Sequence, residues 1–384
     1  MMKTLETKIS IAQNLMDGFA KRTGITKEVS GDPYRRYLWT DAFAVQSFFG
    51  LKQLTGEEKY HDYALKLIDE VHDKLGKYHP EDKRLGAISG LNEEEAIKHP
   101  TINGLRIGKR LKERTIDQPV DEQMEWERDG QYFHYNTRWA NALFQAEAQT
   151  HDQKYANWAA ELCLAGKKFI NKTKENVQMH WKMSVDLSRP LVPSMGAHDP
   201  LEGLICLLTA KDKAPEVFTV YDETLGNFKI LCSGTDWTTT DPLGLGGLLL
   251  NTIRVTELSQ KMEVPDSIKP NVLLVNFNKG LEMYLQDYDP DSPASQRLAF
   301  RECGLSLGLR AIWGQKEDFK KWGTNIEPLR PYISLADETE SFWSNSENLA
   351  TDTWTSHLDI NEVSLAASII AKGVPECFGR LENP

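Results

Sequence analysis

The chain has 384 residues and a formal charge of −11, with acidic and basic residues mixed along its whole length. It is long enough to bury a large core, and without a basic stripe it gives no footing for nucleic acid; an acidic face would also repel an anionic membrane. The five cysteines, Cys163, Cys206, Cys232, Cys303 and Cys377, are odd in number and form no CxxC pair, which points to reduced thiols in the cytoplasm rather than to a disulfide framework.

Residues 1–20 carry Lys3, Glu6, Lys8 and Asp17 among their apolar positions. They lack the apolar run of a signal peptide and read as an amphipathic first helix. No apolar run approaches the length of a membrane span. Residues 40–54 form a helix with few charges. Thr55-Gly56-Glu57-Glu58-Lys59-Tyr60 then opens a second, in which Tyr60, Ala64, Leu67, Ile68, Val71 and Leu75 recur at spacings of three and four. That period makes it amphipathic. The same unit returns after an insertion. An apolar helix covers 131–149, and Thr150-His151-Asp152-Gln153-Lys154-Tyr155 opens a partner with Tyr155, Trp158, Ala159, Leu162 and Ala165 on one face. The insertion, 76–129, is polar and punctuated by Gly and Pro. Its tail, Glu125-Trp126-Glu127-Arg128-Asp129, argues against disorder. Its Arg106, Lys109 and Arg110 offer either a contact for an anionic sugar or a solvated basic loop. Residues 177–193, which include Met179-His180-Trp181-Lys182-Met183, read as a short β-hairpin at one end of the fold.

Four more apolar helices start near His198, Asp241, Ala294 and Ser356. They are rich in Leu, Ala and Gly, as in Gly244-Leu245-Gly246-Gly247-Leu248-Leu249-Leu250. Residues 271–286 supply a fair outer partner. Residues 213–231 supply a poor one, with room for a short strand or an irregular segment. A helix with few charges belongs inside and one with a polar stripe outside. Six inner helices give a mean spacing of about 64 residues, which suits a helix hairpin plus loops. The chain therefore reads as a single all-α domain over residues 1–384, an (α/α)6 toroid or six-hairpin barrel, with long loops and a short β-hairpin.

The starts of the inner helices concentrate the chemistry. They read Trp39-Thr40-Asp41; Asp129 through Tyr132-Phe133-His134; His198-Asp199-Pro200; Trp237 through Asp241-Pro242; Ser295 leading to Arg301-Glu302; and Trp354 through His357-Leu358-Asp359. Thr, Asp and Pro suit the first turn of any helix, so capping explains much of this. It does not explain tryptophan at three starts. If the inner helices run parallel, these residues share one end. Flat aromatic faces and carboxylates are what a sugar site uses, and glycoside cleavage needs two carboxyl groups on opposite sides of the bond. Hairpins three apart pair Asp41 with Asp241, the Asp129/His134 region with Glu302, and Asp199 with Asp359. Asp199 and Asp359 lead as acid and base, with Asp41, Asp241 and Glu302 behind them. Trp39, Trp237 and Trp354 would be sugar platforms, Trp126 would close over them, and Tyr132 and Arg301 would add contacts. Epimerisation next to a carbonyl would instead use two imidazoles, from His134, His198 and His357.

Other motifs carry less. Gly304-Leu305-Ser306-Leu307-Gly308 matches GxSxG, but helix precedes it where that motif needs a strand, so Ser306 reads as packing. Gly244-Leu245-Gly246-Gly247 is no dinucleotide fingerprint, and there is no HExxH or EF-hand loop. No metal or cofactor is expected.

The stretch from Leu38-Trp39-Thr40-Asp41-Ala42-Phe43 through Leu54-Thr55-Gly56-Glu57-Glu58-Lys59-Tyr60 resembles the inner-turn-outer unit of the six-hairpin glycosidase superfamily. That group includes unsaturated glucuronyl hydrolases and, on a related toroid, the N-acylglucosamine 2-epimerases. The match is specific over about two hairpins and rhythmic elsewhere. It implies an (α/α)6 toroid with a sugar-binding cleft at one end. No catalytic motif of either family aligns, so no residue role is carried over. The expected function is glycoside hydrolase-like action on a mono- or oligosaccharide through paired carboxylates. The alternatives are a sugar 2-epimerase or isomerase using paired histidines, and a non-catalytic toroid that binds a ligand or protein. The oligomeric state is left open.

Overall fold

Helices of two kinds alternate along the chain, as the charge pattern requires. The protein is described by a computed structural model over residues 5–26, 35–174, 176–218 and 222–380. In chain order the helices are α1 (Leu5–Arg22), α2 (Leu38–Thr55), α3 (Glu58–Leu75), α4 (Glu93–Lys98), α5 (Glu122–Glu127), α6 (Phe133–Thr150), α7 (Gln153–Ala165), α8 (Asp199–Lys213), α9 (Pro215–Phe218) and α10 (Asp222–Cys232). They continue with α11 (Pro242–Ser259), α12 (Pro270–Asp287), α13 (Ala299–Gly314), α14 (Lys316–Lys321), α15 (Ile333–Phe342), α16 (Ser346–Leu349), α17 (Asp352–Thr355), α18 (Leu358–Ala371) and α19 (Glu376–Gly379).

The apolar helices expected from sequence are α2, α6, α8, α11, α13 and α18. α13 begins five residues later than the apolar run, because Ala294–Gln296 forms a separate 3-10 turn. For residues 213–231 the sequence leaves room for a short strand or an irregular segment. They hold α9 and α10, and no strand occurs among the described residues of that stretch. The break falls at Ala214, whose φ of −138° leaves the helical region just before Pro215. The expected single hairpin also divides. β1 (Gln131–Tyr132), β4 (Lys182–Met183) and β5 (Pro190–Val192) form one antiparallel sheet in the order β1-β4-β5. β2 (Ile170–Lys172) pairs with β3 (Val177–Met179) in another. The insertion at 76–129 holds α4 and α5 and is otherwise loop.

Contacts divide the chain into two compact units. One comprises Met1–Arg22, Gln46–Ala64 and Gly234–Pro384; the other comprises Thr23–Val45 and Leu65–Ser233. In the first, α11 packs on α13, α13 on α18, and α18 on α1. α11 is buried from Leu245 through Leu258, and each fully buried leucine there is worth about 1.5–3 kcal/mol. The helices meet backbone to backbone. A Cβ on Gly246 would lie 1.9 Å from the Gly304 carbonyl oxygen, and one on Gly308 would lie 2.7 Å from Gly246 Cα. Ser306, the centre of the GxSxG match, lies buried on α13 and hydrogen-bonds Ser368 at 2.6 Å, a packing role. Nearby, the buried Glu340 accepts from Arg310 Nε at 2.9 Å, Lys8 Nζ at 2.7 Å and Ser368 Oγ at 2.9 Å.

In the second unit, α6 packs on α7 and α8, and α8 on α10. His72 of α3 is buried and accepts the Trp139 Nε1–H of α6 at 3.0 Å, with its ring edge-on to Trp139 and to Trp158 of α7. Burial pushes its pKa down to about 3. All five cysteines are free and buried. Among the described residues, no helix is long and apolar enough to cross a membrane.

Two predictions follow from these contacts. Gly246→Ala should cost about 3 kcal/mol, because neither backbone can retreat from the added methyl; urea unfolding measures it, and a loss under about 1 kcal/mol would contradict the close approach. His72 is neutral in the native state, while its unfolded pKa is about 6.5. Its contribution is therefore complete above pH 6.5 and is lost as pH falls toward 3. Between pH 7 and pH 5 the wild type should lose about 2 kcal/mol more than His72→Gln, which keeps an acceptor but does not titrate. Equal losses would remove His72 from this account.

Candidate active site

A buried carboxylate needs a partner, and among the described residues most buried acids have a visible one. Asp41 lies beside Arg36 at 3.6 Å and accepts the Tyr37 N–H at 3.0 Å. Glu113 pairs with Arg84, Glu125 with Arg114, Asp129 with Arg106, Glu202 with Arg138, and Glu340 with Arg310. Glu161 takes His99 and Thr101. Asp199 differs. Its Oδ2 is buried with no hydrogen-bond partner, and its Oδ1 lies 3.6 Å from His134 Nδ1, beyond hydrogen-bond range. His134 Nδ1 is likewise buried and unpartnered. Leaving such atoms unsatisfied costs about 1–3 kcal/mol each.

Local sequence puts Asp199 there. It is the first residue of α8, with Pro200 behind it, but the cap position is His198, and no side chain caps this helix. Asp241 is the contrast. It caps α11 through the Leu243 N–H at 3.0 Å and also takes Arg301. Gly196 allows the carboxylate its place, since a Cβ there would sit 2.4 Å from Asp199 Oδ1.

His134 comes from the first turn of α6, directly after β1. Its ring stacks on Tyr132, with centroids 5.3 Å apart, and meets Tyr135 edge-on at 4.8 Å. Tyr135 hydroxyl is 2.7 Å from Tyr37 hydroxyl. Burial pushes both of these phenols up, so they stay protonated. Trp126 of α5 also stacks on Tyr132, at 6.2 Å, and meets Trp181 edge-on at 5.1 Å. Trp126 remains 37% exposed. The result is a row of rings, Trp181–Trp126–Tyr132–His134, ending on Asp199.

The row is braced from behind. Lys182 of β4 is fully buried, donates to the carbonyls of Glu125 and Arg128, and lies 5.5 Å over the Tyr132 ring. Burial pushes its amine down to about 8. Arg106 is buried on Asp129 and on the carbonyls of Lys74 and Lys77, and Lys109 donates to the Trp126 carbonyl. These insertion cations hold the scaffold.

Of the residues singled out from sequence, the second unit brings together Trp126, Tyr132, His134 and Asp199, with His198 next in the chain. In the same unit Trp39 is buried against Phe43 at 4.6 Å. In the first unit Trp237 is fully buried, its indole N–H on the Ser267 carbonyl, and Trp354 is buried in a stack on Trp343. Arg297 grips Glu302 through two bonds of 2.8 Å, and Trp343 Nε1–H donates to the same carboxylate at 2.8 Å. Asp359 pairs with Arg22, and His357 is exposed near Phe300. Sequence reasoning missed Tyr37, Tyr135, Trp181 as a ring in the row, and Lys182. The available signal was the density of rings in Tyr132-Phe133-His134-Tyr135 and the isolated Trp181 beside a lysine in an otherwise polar stretch.

No family model matches the sequence, and no curated protein matches it. Solved structures do match. The GH76A α-1,6-mannanase from Salegentibacter sp. HEL1_6 is similar with a TM-score of 0.54 at 10% identity, over 96% of this chain and all of that one. An inactive variant of that enzyme, with asparagine in place of two adjacent aspartates and in complex with α-1,6-mannotriose, gives 0.53 at 11% identity over the same shares. The present chain contains no two consecutive aspartates. The likeness shows the fold alone, all-α and of the (α/α)6 type.

Proposed function

We propose that the protein is a carbohydrate-active enzyme of glycoside-hydrolase type that acts on a mono- or oligosaccharide at the Asp199 recess. The observation that carries this is Asp199 itself. Its carboxylate is buried with no hydrogen bond from any side chain or helix N–H among the described residues, and it ends a row of aromatic rings. A sugar ring has apolar C–H faces that pack on flat aromatic surfaces, and exposed Trp126 supplies one. The hydroxyls need acceptors and donors, supplied by Asp199, His134 and the Tyr37–Tyr135 pair. The fold likeness to α-1,6-mannanases supports the class and makes α-1,6-linked mannosides the first substrates to try. Cleavage of a glycosidic bond uses two acid-base groups. The His134–Asp199 pair would supply one, and Glu127, exposed and acting on Tyr37 and Tyr132 through its charge, is the carboxylate proposed for the other.

A second reading, a sugar epimerase or isomerase, draws on the imidazole 3.6 Å from Asp199 and on His198 beside it. It differs in outcome: a proton at one sugar carbon exchanges with solvent and no bond between sugars breaks.

The test uses Asp199→Asn and Trp126→Ala with α-1,6-mannotriose and a panel of neutral oligosaccharides. Asp199→Asn should lower turnover by about a thousandfold or more, with thermal stability unchanged or raised, because an unpaired buried charge is removed. Trp126→Ala should raise KM about tenfold. Retained turnover together with a large loss of stability in Asp199→Asn would make the residue structural.

A further inference from the structure

We propose that His134 and Asp199 form an acid–base dyad in which His134 Nε2 is the reactive nitrogen and Asp199 is a positioning residue that acts through the imidazole. This rests on reading the recess as the active site and assigns the roles within it.

The two unsatisfied atoms point at one answer. His134 Nδ1 and Asp199 Oδ2 are both enclosed and both lack partners, and the nearest carboxylate oxygen to Nδ1 is 3.6 Å away. An Nδ1–H donation to Asp199 Oδ1 satisfies the nitrogen and gives the carboxylate a hydrogen-bond partner. It requires a shift of well under one ångström, within what ligand binding closes in other sites. The nearest other acid of α8 is already engaged. Glu202, one turn further along α8, is held by Arg138 and by the Thr137 hydroxyl at 2.9 Å.

The geometry also says which nitrogen works. The His134 side chain is 27% exposed, yet Nδ1 is enclosed, so the exposed nitrogen is Nε2. The face of Tyr132 and the edge of Tyr135 fix the plane of the ring. Both phenols are held in their neutral form by burial, so Asp199 is the charge that faces the imidazole from α8, and the two tyrosines face it as neutral groups from β1 and α6. A carboxylate on Nδ1–H selects the tautomer with a bare Nε2. That nitrogen takes a proton from a sugar hydroxyl or from water. The imidazolium that forms carries its positive charge against the Asp199 carboxylate, and the proton returns from Nε2 to an oxygen in a later step.

The dyad can be tested without knowing the substrate. Long-range 1H–15N correlation spectra of histidine-labelled protein near pH 8 report which nitrogen of each neutral imidazole carries the proton. His134→Gln assigns the signal, and the His72 signal serves as a folding control in every variant. The expected result is an Nδ1–H tautomer at His134 in the wild type that reverts to Nε2–H in Asp199→Asn, with His72 unmoved. An Nε2–H tautomer in the wild type, or a tautomer unchanged by Asp199→Asn, overturns the dyad. The functional reading fails separately, if the tautomer switches as expected while no oligosaccharide binds or turns over. With a substrate in hand, Asp199→Asn should lower kcat by about a thousandfold or more with KM nearly unchanged, the pattern of a wrong tautomer rather than a lost contact.

Discussion

Taking a carboxylate out of water costs several kcal/mol unless a partner comes with it. That constraint organises this protein. Six buried acids, Asp41, Glu113, Glu125, Asp129, Glu202 and Glu340, each meet an arginine, and in most of these the arginine comes from a different segment of the chain. Each pair is therefore also a tie. Glu340 joins α15 to α13 and α1, and Asp129 joins the end of the insertion to its middle. Glu161 and Asp199 depart from this rule, each with an imidazole where those acids have a guanidinium, and only Asp199 is left without a hydrogen bond to it. A guanidinium stays charged at every working pH; an imidazole does not, so it can pass a proton on.

The ties explain how a polar insertion of some fifty residues supports a precise surface. Arg84, Arg106, Arg114 and Lys182 bond to backbone carbonyls and buried acids within and beside it. The buried Lys182 ammonium pins the C-terminal end of α5 to β4 through two carbonyls. Trp126 is thereby fixed against Tyr132 and Trp181 although α5 is only six residues long. A basic loop that reads from sequence as an anion contact is, in Arg106, spent on structure.

The inner helices were legible because their apolar character continues around the whole helix, as in α11, where even Asn251, Thr252 and Glu257 are buried. The start of α13 was less so, because a 3-10 turn looks like helix in apolar pattern. At the site, Asp199, His134, Tyr132 and Trp126 were visible as residues worth attention, but their meeting was not: Trp126 and Trp181 are separated by more than fifty residues, and only the β1–β4 pairing brings them into register. Nor does sequence tell a tryptophan offered to a ligand from one closed in the core. Trp237 and Trp126 both stand near acids, yet one spends its N–H on Ser267 inside the fold and the other stays partly exposed. Capping and pairing acids look alike for the same reason. Asp241 and Asp199 both precede a proline, and only the first bonds to its own helix.

The fold resembles that of an α-1,6-mannanase, and a fold does not fix which groups fill a site. The central claim, that the recess ending on Asp199 holds a sugar, is tested most directly by a crystal structure soaked with neutral oligosaccharides and uronides. The account predicts a sugar ring against Trp126, with a ring or glycosidic oxygen within hydrogen-bond distance of His134 Nε2 or the Asp199 carboxylate. Sugar bound away from Trp126 and Tyr132, or a recess left empty with Asp199 turned back onto the N–H groups of α8, would contradict it.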